Sequence, residues 1–327
     1  MTDAIVLRKV TKTFGPKVAV RDLDLVVPRG ALYGFIGPNG AGKTTSIRII
    51  LSILFADRGD VEVLGHKSAL DAKDKIGYLP EERGVYKKMK VCDFLVYIAR
   101  LKGLDGPDLA SRVERWLERV GLGDTSRKRC DELSKGMQQK VQFIGSVLHE
   151  PDLIILDEPF SGLDPISTRQ LRDLILEQHQ RGATILFSTH VMVTAEQLCD
   201  HIVMIHDGQK VLDSSLAQIR NSQAVRALWF EPLDAAAELS SLRKVAGVKH
   251  IERNGAAYEV TLADGADPSD TLRAIAGLMP AARIELQRPT LEDVFVEIVG
   301  ASAGSSEEAA RLRERLRNGG AHAEARR

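Results

Sequence analysis

Residues Gly37, Pro38, Asn39, Gly40, Ala41, Gly42, Lys43 and Thr44 stand in the order GxxxxGK[ST], with Thr45 directly after. Glycines at this spacing let backbone N–H groups curl around a phosphate without interference from a Cβ. Lys43 can reach the outer phosphates, and the Thr44 hydroxyl can ligate Mg²⁺. A second feature is Leu153-Ile-Ile-Leu-Asp157-Glu158, an apolar run that delivers two acids at its carboxyl end, where ligands of open α/β sheets collect. Asp157 is placed to hold the Mg²⁺ through water, and Glu158 to orient or deprotonate an attacking water, since phosphoryl transfer needs mainly positioning and charge neutralisation. Alone, such an acid pair also serves as a helix cap. Beside the phosphate loop it points to nucleoside triphosphate hydrolysis.

These groups need a strand, loop and helix to hold them. Ala31 to Ile36 is an apolar strand running into the loop, and Ile47, Ile50, Leu51 and Leu54 predict a helix over Thr44 to Phe55. Before it, Ile5 to Val10 and Val18 to Val27 predict a small antiparallel layer with turns at Gly15-Pro16 and Pro28-Arg29-Gly30. Between Val91 and Val120 the periodicity is helical, with a break at Gly103 to Pro107. Leu153 to Leu156 and Thr184 to Phe187, with a helix over Thr168 to Gln180 between them, predict parallel strands. His201 to Ile205 then turns at Asp207-Gly208 into Gln209 to Leu212.

The character changes near Ser215. Val225 to Phe230, Val248 to Glu252, Tyr258 to Leu262 and Arg283 to Leu286 read as strands, with helical stretches near 234 to 243 and 269 to 278, the pattern of a small α+β domain. Beyond Gly300 apolar residues nearly vanish, so residues 301–327 are expected to be a disordered tail.

The whole chain has 327 residues, 45 Lys+Arg against 45 Asp+Glu, and 44% hydrophobic residues, which describes a soluble protein of two domains. The zero net charge argues against nucleic acid as a partner. Cys92, Cys130 and Cys199 form no CxxC pair, so neither a disulfide framework nor a zinc site is expected. No run of about 18 apolar residues occurs and the N-terminus lacks a secretory pattern, so a cytoplasmic location is expected, with any membrane role coming through a partner.

Kinases, GTPases, helicases and transport ATPases share a phosphate loop, and other residues discriminate among them. Leu133-Ser134-Lys135-Gly136-Met137-Gln138-Gln139 resembles the LSGGQ signature of ATP-binding cassette (ABC) ATPases. Ser161-Gly162-Leu163-Asp164 resembles their D-loop, and His190 in Ser188-Thr189-His190 resembles their switch histidine. Phe14 falls where the family stacks an aromatic ring on adenine, although a Phe in a β-layer also serves as core packing. Glu81, in YLPEERGVY, replaces the glutamine that most members carry; a carboxylate there can still ligate Mg²⁺ or a water. Together with DEPFSGLDP and the C-terminal PTLEDVFVEIVG, these segments resemble the cytosolic ATPases of bacterial export systems related to sodium and antibiotic exporters.

The resemblance implies an α/β fold: an ABC-type P-loop nucleotide-binding domain over 1–215, with a RecA-like core, an antiparallel β layer and a helical insert at about 85–149. A small accessory α+β domain over 216–300 follows. It implies ATP and Mg²⁺ as cofactors, with Thr44, Glu81 and Asp157 at the metal, Glu158 and His190 catalytic, and Ser134, Gly136 and Asp164 binding ATP across a sandwich dimer. The implied partners are a second cassette and an integral-membrane permease, at the cytoplasmic face of the membrane. The alternative is a soluble ABC ATPase acting on ribosomes or DNA. Ribosome-acting relatives typically carry two cassettes, and DNA-repair relatives separate the lysine and signature by long coiled coils, whereas here one cassette has them 91 positions apart.

Overall fold

The computed structural model describes residues 3–82, 84–222, 225–234 and 241–303. The chain opens with β1 (Asp3–Phe14) and β2 (Lys17–Pro28), a hairpin turning at Gly15. Then follow β3 (Leu32–Ile36), α1 (Lys43–Ile50), β4 (Arg58–Val63) and β5 (Ile76–Leu79). The middle of the chain is helical, with α2 (Val91–Leu101), α3 (Leu109–Arg119) and α4 (Lys135–Val147). Strand and helix alternate again in β6 (Leu153–Asp157), α5 (Pro165–Gln180), β7 (Thr184–Thr189) and α6 (Met192–Leu198), before the antiparallel pair β8 (His201–His206) and β9 (Gln209–Ser215). The remainder comprises α7 (Leu216–Ser222), β10 (Ala227–Pro232), β11 (Val248–Asn254), β12 (Ala257–Leu262), α8 (Pro268–Leu278), β13 (Ala281–Gln287) and α9 (Leu291–Ala303).

Six strands form one sheet in the order β5-β6-β7-β3-β8-β9, parallel except for β9. Every residue of β3, β6 and β7 is buried, as expected of parallel strands covered on both faces. A second sheet, β2-β1-β4, is antiparallel and contributes Ile5, Leu7 and Leu25 to a core shared with Phe35, Ile47, Ile155 and Leu186. The sequence gives little hint of β4, whose Arg58-Gly-Asp-Val-Glu-Val is polar because it lies at the edge of its sheet, beside β1.

The helix expected over Thr44 to Phe55 stops at Ile50. Ser52 has φ +57°, and the N–H groups of Ile53 and Leu54 both return to the Arg48 carbonyl, closing the helix while Leu54 still reaches the core. Helix α5 starts earlier than the apolar period suggests, because Asp164 caps it and Pro165 takes its first position.

Contacts group Ala217–Glu297 as a second compact unit. Its antiparallel sheet, β11-β12-β10-β13, packs Leu228, Phe230, Val260 and Ile284 with Ile275 of α8. Most of the helix expected near 234 to 243 falls outside the described residues, and Leu242–Lys244 is a 3-10 turn. Helix α9 has no counterpart in the sequence-based assignment. Its signal was a reciprocal cap: the Asp293 carboxylate accepts from the Thr290 N–H at 3.0 Å and the Thr290 hydroxyl accepts from the Asp293 N–H at 3.2 Å. It continues to Ala303, so the first residues expected as tail are helical; residues 304–327 lie outside the described residues. Among the described residues no helix is long and apolar enough to cross a membrane.

One histidine ties the helical region to the main sheet. His149, just past α4, has its Nε2 3.2 Å from the Ile76 carbonyl of β5. Burial, with the nearby Lys102 ammonium second, pushes its pKa down to about 4. The folded chain therefore holds His149 neutral where the unfolded chain protonates it, so its contribution is complete above pH about 6.5 and is lost as pH falls toward 4. Replacing His149 with Gln is expected to flatten the acid limb of stability over that window by on the order of 1–2 kcal/mol, read from urea midpoints at a series of pH values.

Candidate functional site

Strand β3 ends at Ile36, and the phosphate loop begins where there is no room for a side chain. A Cβ on Gly37 would lie 2.2 Å from the Ile205 carbonyl oxygen, and one on Gly42 would lie 2.4 Å from that of Ala19. Gly42 also has φ +106°. The loop is pinned further by the Gly37 N–H to the Thr189 carbonyl at 3.3 Å and the Gly208 N–H to the Ala41 carbonyl at 2.9 Å. No side chain caps α1, which leaves its first amides as donors for an anion. Lys43 opens this helix, and its ammonium donates to the carbonyls of Gly37 at 2.8 Å and Pro38 at 3.2 Å. Burial pushes the Lys43 pKa down, and the Glu158 carboxylate, followed by Asp157, pulls it back up. Asn39 and Gly40 are exposed at the loop's crest, while Thr44 and Thr45 are half-buried on the helix's first turn.

Asp157 and Glu158 emerge at the end of β6, and both are buried. Asp157 Oδ1 accepts from the Ser188 hydroxyl, while its Oδ2 is buried without a partner. Burial pushes the Asp157 pKa up, and the Ser188 and Thr44 hydroxyls act against that rise. Glu158 Oε1 lies 2.9 Å from His190 Nδ1 and 3.6 Å from Lys43 Nζ, and Oε2 accepts from the Thr189 hydroxyl at 3.4 Å. Glu81 is exposed beyond β5; its pKa is raised by desolvation and then by the Asp157 and Glu158 charges. The Tyr78 hydroxyl is pushed up to about 12 by burial and by Asp157.

An orphaned carboxylate oxygen next to a threonine hydroxyl, with further carboxylates in the same field, is an oxygen donor set that suits a hard divalent cation. Three charged or polar groups of opposite character, Lys43, Glu158 and His190, meet within hydrogen-bonding or ion-pair range at the carboxyl ends of parallel strands. That arrangement can neutralise a polyphosphate and polarise a water beside it.

The structure therefore gathers Lys43, Thr44, Asp157, Glu158 and His190, with Glu81 in their electrostatic field. It does not bring Ser134, Gly136, Asp164 or Phe14 into hydrogen bonds with that group. Ser134 is exposed and caps α4, its hydroxyl accepting from the Met137 N–H at 3.3 Å. Gly136 faces the Leu163 side chain of the next loop. Asp164 caps α5, accepting from Ile166 and Ser167. Phe14 is 48% exposed at the end of β1, with the Lys12 ammonium 5.5 Å from its ring centre, so it is not a core residue.

Ser188 and Thr189 were not singled out as site residues from the sequence. Their signal was two hydroxyls ending an otherwise apolar strand, Thr184-Ile-Leu-Phe-Ser-Thr, where a fully buried polar side chain requires a partner.

Residues 20–161 match the family described as ABC transporter, and residues 215–299 match the ATP-binding protein DrrA1-3-like, C-terminal domain. The chain is 40% identical to the ABC transporter ATP-binding protein YhaQ of Bacillus subtilis over 89% of its own length and 97% of that relative. It is 29% identical to the bacitracin transport ATP-binding protein BcrA of Bacillus licheniformis, over 92% of its length and 98% of that relative. A solved structure of the ATP binding subunit of an ABC transporter superposes with a TM-score of 0.62 at 32% identity, covering 67% of this chain and 92% of that one.

Ser188 is the donor that meets a buried carboxylate oxygen, so Ser188→Ala is expected to lower the unfolding free energy by about 1–3 kcal/mol. Urea unfolding checks this, and Ser188→Thr, which keeps the hydroxyl, is expected to lose less.

Proposed function

Because the chain belongs to the ATP-binding proteins of ABC transporters, which are ATPases that power transport, we propose that it energises an export system by ATP-driven closure of a cassette dimer. The observation that carries this reading is the meeting of Lys43, Glu158 and His190 beside the buried Asp157 at one end of the sheet. In the proposal, residues 1–215 are the nucleotide-binding domain and 216–300 an accessory domain. The loop amides of Gly37 to Gly42 and the α1 N-terminus bind the phosphates of ATP, and Lys43 neutralises the outer ones. Thr44, Asp157 and Glu81 would hold Mg²⁺, which when bound supplies charge neutralisation at the phosphate oxygens.

Glu158 orients the attacking water and accepts its proton. His190, hydrogen-bonded to Glu158 Oε1, holds that carboxylate in place and faces the terminal phosphate. Phe14, exposed at the end of β1, is free to stack on adenine. Ser134 and Gly136 at the start of α4, with Asp164, contribute to the ATP site of a second copy. Their position apart from the Lys43 cluster supports a site shared between two subunits, and a homodimer is the simplest such pair. The energy is delivered to a separate integral-membrane permease, with the cassette at the cytoplasmic face. The exposed rings of Tyr86 and Tyr97, with Tyr86 packed edge to face on Tyr97 and on the buried Phe94, lie beside the exposed Lys87, Lys88 and Lys90 and form a surface suited to that permease. The name of the bacitracin transport relative supports a drug or antibiotic as cargo, with the sodium ion as the other candidate from the sequence.

Glu158→Gln is expected to retain ATP binding and to lose turnover by about 10²–10⁴-fold, while Lys43→Ala loses binding. Phosphate release and nucleotide titration measure the two effects. With Glu158→Gln as bait in solubilised host membranes and ATP present, recovery of a multi-helix membrane protein is expected; recovery of ribosomal or DNA-repair proteins would assign the ATPase to the soluble branch.

A further inference from the structure

Helix α4 carries amide side chains at 138, 139 and 142, and those of Gln139 and Gln142 are buried. Gln139, 2% exposed, donates its Nε2–H to the Pro159 carbonyl at 3.0 Å. Pro159 directly follows Glu158, whose φ of +49° lies in the left-handed region. That conformation costs a residue with a Cβ roughly 1–2 kcal/mol and persists only where the surroundings hold it. On one side the Glu158 N–H donates to the Ser188 carbonyl at 3.1 Å, and on the other the Ser161 N–H donates to the Glu158 carbonyl at 3.1 Å. The Gln139 amide holds the next carbonyl, and it reaches it from a different helix.

The same face of α4 is fixed against β5. One turn beyond Gln139, Gln142 lies beside the loop that follows Glu81, its Nε2 3.6 Å from where a Cβ on Gly84 would stand. One turn further, the Ser146 carbonyl oxygen would be only 2.1 Å from a Cβ on Gly77 of β5. Backbone contact that close leaves α4 no room to slide on the sheet. The tie from Gln139 to Pro159 thus runs from a helix that is itself anchored.

We propose that Gln139 is a positioning residue for ATP hydrolysis: its amide holds the Pro159 carbonyl and so keeps the strained Glu158 backbone, and the carboxylate it carries, aligned with His190 and Lys43. This rests on the reading of Glu158 as the hydrolytic carboxylate. Gln139 also joins Glu158 to the helix that starts at Ser134, so the two halves that this chain would offer to two different ATP molecules move as one piece. The phosphate loop receives none of its hydrogen bonds from Gln139, so affinity for ATP is expected to be kept.

The test is steady-state ATP hydrolysis by the full chain with Gln139→Met, of similar length without a donor, and Gln139→Lys, which restores one. Gln139→Met is expected to lower kcat about 10–100-fold with KM for ATP changed less than about twofold, and Gln139→Lys to recover a large part of the loss. Gln139→Leu, which is apolar and has no donor in any protonation state, is the second donor-free variant and decides the matter should Gln139→Met not fold. Wild-type kcat in a folded donor-free variant would overturn the proposal. So would a rise in KM as large as the fall in kcat, or a lysine variant no better than methionine. A wild-type chain that hydrolyses no ATP would instead overturn the reading of Glu158 on which the proposal stands.

Discussion

A carboxylate out of water is costly unless donors or cations meet it, and the end of β6 buries two in succession. Much of the surrounding architecture answers that cost. The sheet order puts β7 between β6 and β3, and the register sets Asp157 beside Ser188 and Ile36 beside Thr189. The neighbouring strand therefore supplies hydroxyls to the acids, while the loop leaving β3 brings Lys43 toward them from the other side. Lys43 faces the same penalty with the opposite sign, since burial favours its neutral form and the carboxylates favour the charged one. The cluster is held by mutual compensation, and each member is expensive to leave without the others.

The groups that face phosphate were legible because their spacing is short and local. Gly37 to Thr44 and Leu153 to Glu158 each fit within one turn or one strand, and an apolar strand leading into each pattern fixed its place in the sheet. The supporting groups were not legible in the same way. Ser188 lies 31 positions from Asp157, and Gln139 lies 20 positions from Pro159, so their roles depend on a register and a helix packing that no local pattern encodes. The hydroxyl pair at the end of β7 could have drawn suspicion, as polar residues in a buried strand; Gln139 lies within the signature-like segment Leu133 to Gln139, but no local pattern there points to the Pro159 carbonyl.

Fold elements followed the same rule. Strands with a strong apolar run, β3, β6 and β7, stand where the sequence places them, because burial on both faces leaves no alternative composition. Edge strand β4 escaped notice because its polar residues satisfy an edge, and α1 stopped early because Ser52 and a backbone turn let Leu54 fill a core position that a helix would also have filled. Periodicity reports which residues face inward; whether a helix or a turn delivers them is decided by hydrogen bonds such as those closing on Arg48.

The pairing of Asp157 with Ser188 has a consequence for how such cassettes could exchange parts. The acids belong to β6 and their hydroxyl donors to β7, with α5 lying between them in the chain. A recombination breakpoint within α5 would separate the two, joining one parent's carboxylates to another parent's donors, and would succeed only where the parent that supplies β7 ends it with hydroxyl residues in the same register. Breakpoints before β6 or after β7 would pass the pair on whole. In hybrid cassettes, the segment from Leu153 to Thr189 is therefore the smallest block of this site that travels intact.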